Sequence, residues 1–196
     1  MTKLRKEFAA LERVEVRSAA ELRAWLEEHH AGKASVALVT FKKVVPERYV
    51  STGEVLDELL AFGWIDGARH KLDEKRTMQL IAPRKTQHWT KSYKQRAARL
   101  EAEGRMKPAG RAAIAAAKQS GLWTFMDDVD ALIVPPDLRD ALDTKPGAAA
   151  FFDAAAPSYR RNVLRWVKLA KTEATRARRI AKVAGLSGEG KRVAQM

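Results

Sequence analysis

Apolar residues recur along this chain with two different periods, and the change from one to the other divides it. From residue 13 to 88, short alternating or β-branched runs are interleaved with helical stripes, whereas from Thr90 onward the period is helical almost to the end. Val14 and Val16, flanked by charges, alternate as a short strand does. Ser18 and Glu21 have capping-box spacing and open a helix with Leu22, Trp25 and Leu26 on one face, which Gly32 ends. SVALVTFKKV, residues 35–44, is short and rich in β-branched residues, which predicts a second strand. Ser51 and Glu54 repeat the capping-box spacing before a helix that buries Val55, Leu59 and Phe62, with Gly63 at its C′ position. WIDGARHKL, a turn at Asp73 and Glu74, and RTMQLIA predict a hairpin that Pro83 ends, because proline cannot donate to a ladder.

Beyond it, Thr90 caps a helix in which Tyr93, Ala97 and Leu100 share a face, and Gly104 ends it. Pro108 opens the next helix, with Ile114 and Ala117 inward and Gly121 after it. Residues 138–142 and 148–154 form two short helices. PSYRRNVLRWVKLAK then places Tyr159, Val163, Trp166, Val167 and Ala170 on one helical stripe. A last helix, from about Thr172 to Leu186, turns Ala177, Ile180, Ala181 and Ala184 inward. The expected architecture is α+β: a small sheet of about four strands with two helices, followed by a helical C-terminal half. Residues 1–12 read as a ragged terminus, 13–88 as the sheet region, 89–187 as helices packed on it in one compact unit, and 188–196 as a mobile tail.

Charge changes this picture more than composition does. The 196 residues include 37 Lys/Arg against 24 Asp/Glu, a net charge of +13, and the surplus is concentrated. Residues 84–111 hold nine cations against two acids, and residues 157–196 hold eleven against two. Two basic segments point to a polyanion, nucleic acid foremost, with an ordinary solvated helix face as the alternative. There is no cysteine, which excludes disulfides and thiolate chemistry, and the four histidines form no metal-ligand spacing. Walker A, G-x-G-x-x-G, G-x-S-x-G and H-E-x-x-H strings are all missing, so no cofactor is implied and the reading leans away from an enzyme. No run approaches the ~18 apolar residues of a membrane span, and the charged start MTKLRKEFAALERVEV lacks a secretory signal, so a cytoplasmic location is expected.

FGWIDG (62–67), the hairpin, APRKTQHW (82–89), EGRMKPAG (103–110) and PSYRRNVLRWVKLAKTEATRARRI (157–180) together resemble the YdeI/OmpD-associated, or bacteriocin-protection, family. The resemblance runs from about residue 13 to 187. The chain departs from the family's usual strings at Ala82 and Lys85, at His88 and Thr90, and at Ala156; lysine at 85 keeps the charge and loses the guanidinium fork. What the resemblance implies is tolerance of bacteriocins or cationic antimicrobial peptides, with no agreed catalytic residues to carry over.

Three groups are candidates for a site. Arg84, Lys85, His88 and Lys91 gather charge before a helix N-terminus, with Trp89 as a stacking surface; the alternative is that Trp89 packs into the core. Arg161, Arg165, Lys168, Arg176 and Arg179 could follow a phosphate backbone or simply face solvent. Trp64, Asp66 and Arg69 offer a small-ligand pocket, shared with Arg84, His88 and Trp89, or else a helix end and a tight turn into a strand. Asp66 with His70 would be an acid/base pair if the strand brought them together. The implied partner is nucleic acid or another polyanion; the sequence names no protein partner.

Overall fold

The computed structural model describes residues 8 and 10–194. Residues 1–7 and 9 of the expected N-terminal segment, and 195–196 of the expected tail, lie outside the described residues. Chain contacts divide the protein into two compact units, residues 1–123 and 124–196.

In the first unit, β1 (Arg13–Glu15), β2 (Val36–Phe41), β3 (Trp64–Lys71) and β4 (Arg76–Pro83) are the four strands found among the described residues. They form one mixed sheet in the order β1-β2-β4-β3, with β1 parallel to β2 and the remaining neighbours antiparallel. Helices α1 (Ala19–His29) and α2 (Thr52–Ala61) cover one face. There Leu22, Leu26, Val55 and Leu59 pack on Val14, Val36, Leu38 and Ile81. Phe8 and Leu11 pack on Ala37, Val39 and Met78, which belong to the opposite face. Every residue of β2 is therefore buried, and a strand covered on both sides reads as a continuous apolar run. The expected strand stops at Phe41 rather than continuing to residue 44, and Val44 is 70% exposed.

Of the two expected capping boxes, only the one at Ser51 and Glu54 closes in full; at Ser18 the return bond from the Glu21 carboxylate goes to the Arg17 N–H instead. The Ser18 hydroxyl accepts the Glu21 N–H, and Ser51 and Glu54 bond reciprocally at the start of α2. Gly63 closes α2 with φ +73°. The unit is completed by α3 (Lys91–Ala102) and α4 (Pro108–Gln119). Thr90 stands at the N-cap of α3, but its hydroxyl bonds Ser92 Oγ at 3.0 Å instead of a helix amide.

The second unit is helical among its described residues: α5 (Asp127–Asp130), α6 (Pro136–Asp143), α7 (Ala148–Ala154), α8 (Pro157–Lys168) and α9 (Glu173–Gly188). Its core gathers Leu138, Leu142, Phe152, Val163, Val167, Ile180 and Val183. α9 is rotated relative to the expectation: Ile180, Val183, Ala184 and Ser187 are buried, whereas Ala177 and Ala181 are exposed. Valine buries more apolar surface than alanine, so Val183 sets which way the helix faces. Ala170 lies past the end of α8 and does not extend its stripe. In the segment expected to be a tail, Val193 is 4% exposed and its N–H donates to Tyr159 Oη at 3.0 Å.

Candidate functional site

The pairing of β3 with β4 slips between Asp66 and Arg69: Asp66 faces Ile81, yet Arg69 faces Gln79. Two residues of β3, Gly67 and Ala68, thus oppose the single Leu80 of β4, the signature of a β-bulge. In a regular strand Asp66 and Arg69 would point to opposite faces. The bulge puts both on the helix-covered face, where Gln79 joins them. Its Nε2 donates to Asp66 Oδ2 at 3.1 Å and its Oε1 accepts from Arg69. Gln79 is 5% exposed, so its amide is satisfied inside the unit. His70 falls on the other face, edge-on to Phe8 at 4.9 Å between ring centres. The pairing of Asp66 with His70 is therefore not formed, because the bulge leaves them on opposite sides of the sheet.

Asp66 is met from α3 by Tyr93, which donates its phenol hydrogen to Oδ1. Both oxygens of the carboxylate are thus engaged. Burial, then the bond to Asp66, pushes the Tyr93 phenol well above its ordinary value, so it holds its proton as a donor. Arg84 lies beside this pair, its guanidinium carbon 4.3 Å from the centre of the Trp89 ring and 4.8 Å from that of Tyr93. Its Nη1 donates to the carbonyls of Gln87 and His88 at 3.3 and 3.4 Å. Nε and Nη2 are buried without a hydrogen-bond partner among the described residues. Burial pushes the Arg84 pKa down against the pull of Tyr93 and Asp66, although an arginine keeps its charge at any physiological pH.

The stacking expectation for Trp89 meets a plain obstacle. Trp89 is 0% exposed, its backbone N–H donates to Leu122 O at 3.1 Å, and its ring packs 5.0 Å from that of Trp123. It is a core residue with no face left for a base. Trp64, 2% exposed, is likewise internal and donates to His30 O at 3.0 Å. Lys85 and Lys91 are exposed and His88 is half-buried. Trp123, half-buried as Tyr93 is, lies on no apolar stripe and so left no periodic signal. The ammonium groups of Lys94 and Lys118 stand 5.4 and 5.3 Å from its ring centre.

The five cations expected on the C-terminal helices have partners nearby. Lys168 Nζ lies 2.6 Å from Asp128, Arg176 Nε 2.6 Å from Asp137, and Arg161 3.8 Å from Asp130. Arg179 donates to Trp166 O and covers that ring at 4.9 Å. Arg165 is exposed. The Arg176 hydrogen bond holds Asp137 below the usual carboxylate range, and at Asp128 the upward push of burial is outweighed by the hydrogen bonds from Lys168 and the Val129 N–H, so it too lies low. The acidic stretch before α8 thus meets part of the charge of the helices after it.

A second ionic network binds α2 to α3 and to the turn that follows it. Asp57 and Glu58, 8% and 4% exposed, receive Arg96, Arg99 and Arg105, with Arg23 of α1 2.8 Å from Glu58. Each carboxylate is saturated by guanidinium groups, which suits a clamp and not an acid/base pair. Among the described residues no three His, Asp or Glu side chains converge as a metal site needs, and no helix is long and apolar enough to cross a membrane.

Two family models match, one in each unit. Residues 14–113 match a domain of unknown function (DUF8412), and residues 131–190 match a family described as bacteriocin-protection, YdeI or OmpD-associated. No curated protein and no solved structure matches the chain. FGWIDG and EGRMKPAG fall within the first match and the Tyr/Trp helix with its basic successor within the second.

Proposed function

We propose, from the premise that the chain belongs to the family of that domain of unknown function and, through residues 131–190, to the bacteriocin-protection, YdeI or OmpD-associated family, that it is a nucleic-acid-binding protein. In this reading it acts without catalysis, in the cytoplasm where nucleic acid is the abundant polyanion, and serves stress or antimicrobial tolerance. One observation carries the proposal. If every one of the 24 acids took one of the 37 cations, 13 cations would still lack a counter-charge within the protein. Residues 1–123 hold 24 Lys/Arg against 15 Asp/Glu, and residues 124–196 hold 13 against 9. The larger surplus thus belongs to the unit that carries Lys85, Lys91 and Lys118, and the C-terminal helices contribute less than their own composition suggests. Capture of cationic peptides is disfavoured, since like charge repels them.

The test is fluorescence anisotropy of labelled single- and double-stranded DNA at ~50 and ~200 mM salt, a range over which several phosphate contacts change affinity by orders of magnitude. Binding that falls steeply with salt is the expected result. No binding at the lower salt sinks the proposal.

A second reading rests on Arg84, whose buried Nε and Nη2 are unpartnered beside Asp66 and Tyr93. There a small anion would take the free N–H groups, with Asp66, Arg69 and His88 around it. Thermal stabilisation by small carboxylates or phosphate that is lost in Arg84→Lys would support it; no stabilisation by any of them would end it.

A further inference from the structure

A groove of about 400 Å³ runs between α3 and α4 in the first unit. Its floor is Ala97, Ala98 and Ile114, and Trp123 stands at one side with Lys94 and Lys118 over its ring. Elsewhere on the lining, Glu101 and Arg111 are locked together, with Arg111 Nε 2.9 Å from one carboxylate oxygen and 3.1 Å from the other. That pair neutralises itself, and the exposed Lys118 brings a positive charge to the rim beside the indole.

We infer that this groove receives an unstacked base of single-stranded nucleic acid, with Lys94 and Lys118 meeting the adjoining phosphates; the inference rests on the nucleic-acid reading above. Three features argue for that ligand. The alanine floor leaves a slot of a size that accepts a small planar molecule, since ligand sites start at roughly 300 Å³. The indole is a stacking surface that tolerates any base once the flexible ammonium groups over its ring move to phosphate, and Trp89 packs against it at a tilt of 43°. The lysines supply the positive flank that tracks a phosphate backbone. A duplex keeps its base faces stacked and cannot offer one to Trp123, so the strand must be single. An acidic peptide would satisfy the lysines and leave the indole without its planar partner.

The experiment is anisotropy with a labelled thymidine oligomer of about 12 nucleotides, within the usual site size of single-strand binders. Competitors are an abasic strand of the same length, the matching duplex, heparin and thymidine monophosphate. The thymidine strand is expected to bind best, with about 10-fold loss in Trp123→Leu, recovery in Trp123→Phe, and loss in Lys118→Glu. Equal binding of the abasic strand, duplex or heparin overturns the inference, as does monophosphate competing as well as the strand. Those arms use the unaltered protein and stand even if Trp123→Leu fails to fold. Tight strand binding that ignores both Trp123 and Lys118 removes the groove and leaves the nucleic-acid reading intact. No binding of any strand at ~50 mM salt removes both.

Discussion

Gly110 of α4 lies against Ala61 of α2 so closely that a Cβ at position 110 would stand 2.4 Å from the Ala61 carbonyl oxygen and 2.8 Å from that of Leu60. Gly63, at the end of α2, makes the reciprocal approach, since a Cβ there would be 2.8 Å from the Ala109 carbonyl. These carbonyls are backbone and cannot swing aside, whereas Met106 Sδ, 2.5 Å from the Cβ at position 110, is a side-chain atom that can. Gly110→Ala is expected to destabilise the protein by about 3 kcal/mol, the upper range for overpacking, as a lower urea midpoint. Gly53→Ala is the control. Its nearest neighbour would be Ser51 Oγ at 3.7 Å, so the change should instead stabilise α2 by about 0.5 kcal/mol. Equal behaviour of the two variants would refute the close crossing.

That crossing joins FGWIDG to EGRMKPAG, and it shows what could be read from the sequence and what could not. The N-cap at Ser18, the capping box at Ser51, the left-handed Gly63 and the hairpin turn at Asp73 are settled within about four residues, so local spacing reveals them. Asp66 and Tyr93 are 27 residues apart, and their meeting depends on a bulge that a strand pattern does not announce. Trp89 and Trp123 are both aromatic residues near cations; which one is buried is decided by tertiary packing. Likewise, the charge of residues 157–196 read as free until the acids about 40 residues upstream folded against it.

Asp57 should govern acid stability. Burial pushes its pKa up, but the hydrogen bonds from Arg99 and Arg96 outweigh this and hold it below its ordinary value. A carboxylate whose folded pKa is depressed contributes stability that is present above its unfolded pKa and is lost as pH falls through the folded one. Stability should therefore hold from neutral pH down to the ordinary carboxylate range, near pH 4, and fall below it. Asp57→Asn leaves Arg96, Arg99 and Arg105 facing a neutral group. Breaking a buried pair costs about 3 kcal/mol, discounted here to about 2 because the arginines reach solvent. Denaturation midpoints taken from pH 7 to pH 3 should show the variant less stable at neutrality and flatter in acid. A parallel pair of curves would show that Asp57 does not carry the acid limb.

Tyr93 should mark the alkaline side. Its folded pKa is raised, by burial first and by Asp66 next, so the folded state retains a proton that the unfolded state releases near pH 10. Its contribution is complete below that pH and is lost as pH rises beyond it. The tyrosinate absorbance that distinguishes the protein from Tyr93→Phe should accordingly develop only with unfolding. Development of that difference while circular dichroism still reports a folded chain would contradict the buried bond to Asp66. At neutral pH, Tyr93→Phe leaves Asp66 Oδ1 unpaired and should cost about 1–2 kcal/mol.

The pairing inside the second unit leads to the opposite of the usual charge-removal result. Asp128 and Asp137 hold Lys168 and Arg176 through direct ion pairs, so neutralising the acids releases the cations. Both pairs are partly exposed, and each should contribute under about 1 kcal/mol to stability, so Asp128→Asn with Asp137→Asn is expected to fold normally. If the protein binds nucleic acid, the double variant should bind more tightly, because two more cations can displace counterions from phosphate. The slope of log affinity against log salt should steepen by about one to two for duplex DNA. Lys168→Ala with Arg176→Ala should change affinity little, since those side chains are already occupied. If the alanine pair abolishes binding while the asparagine pair leaves it unaltered, the ion pairs are too weak to compete with phosphate, and residues 157–196 act as the open basic surface their composition describes.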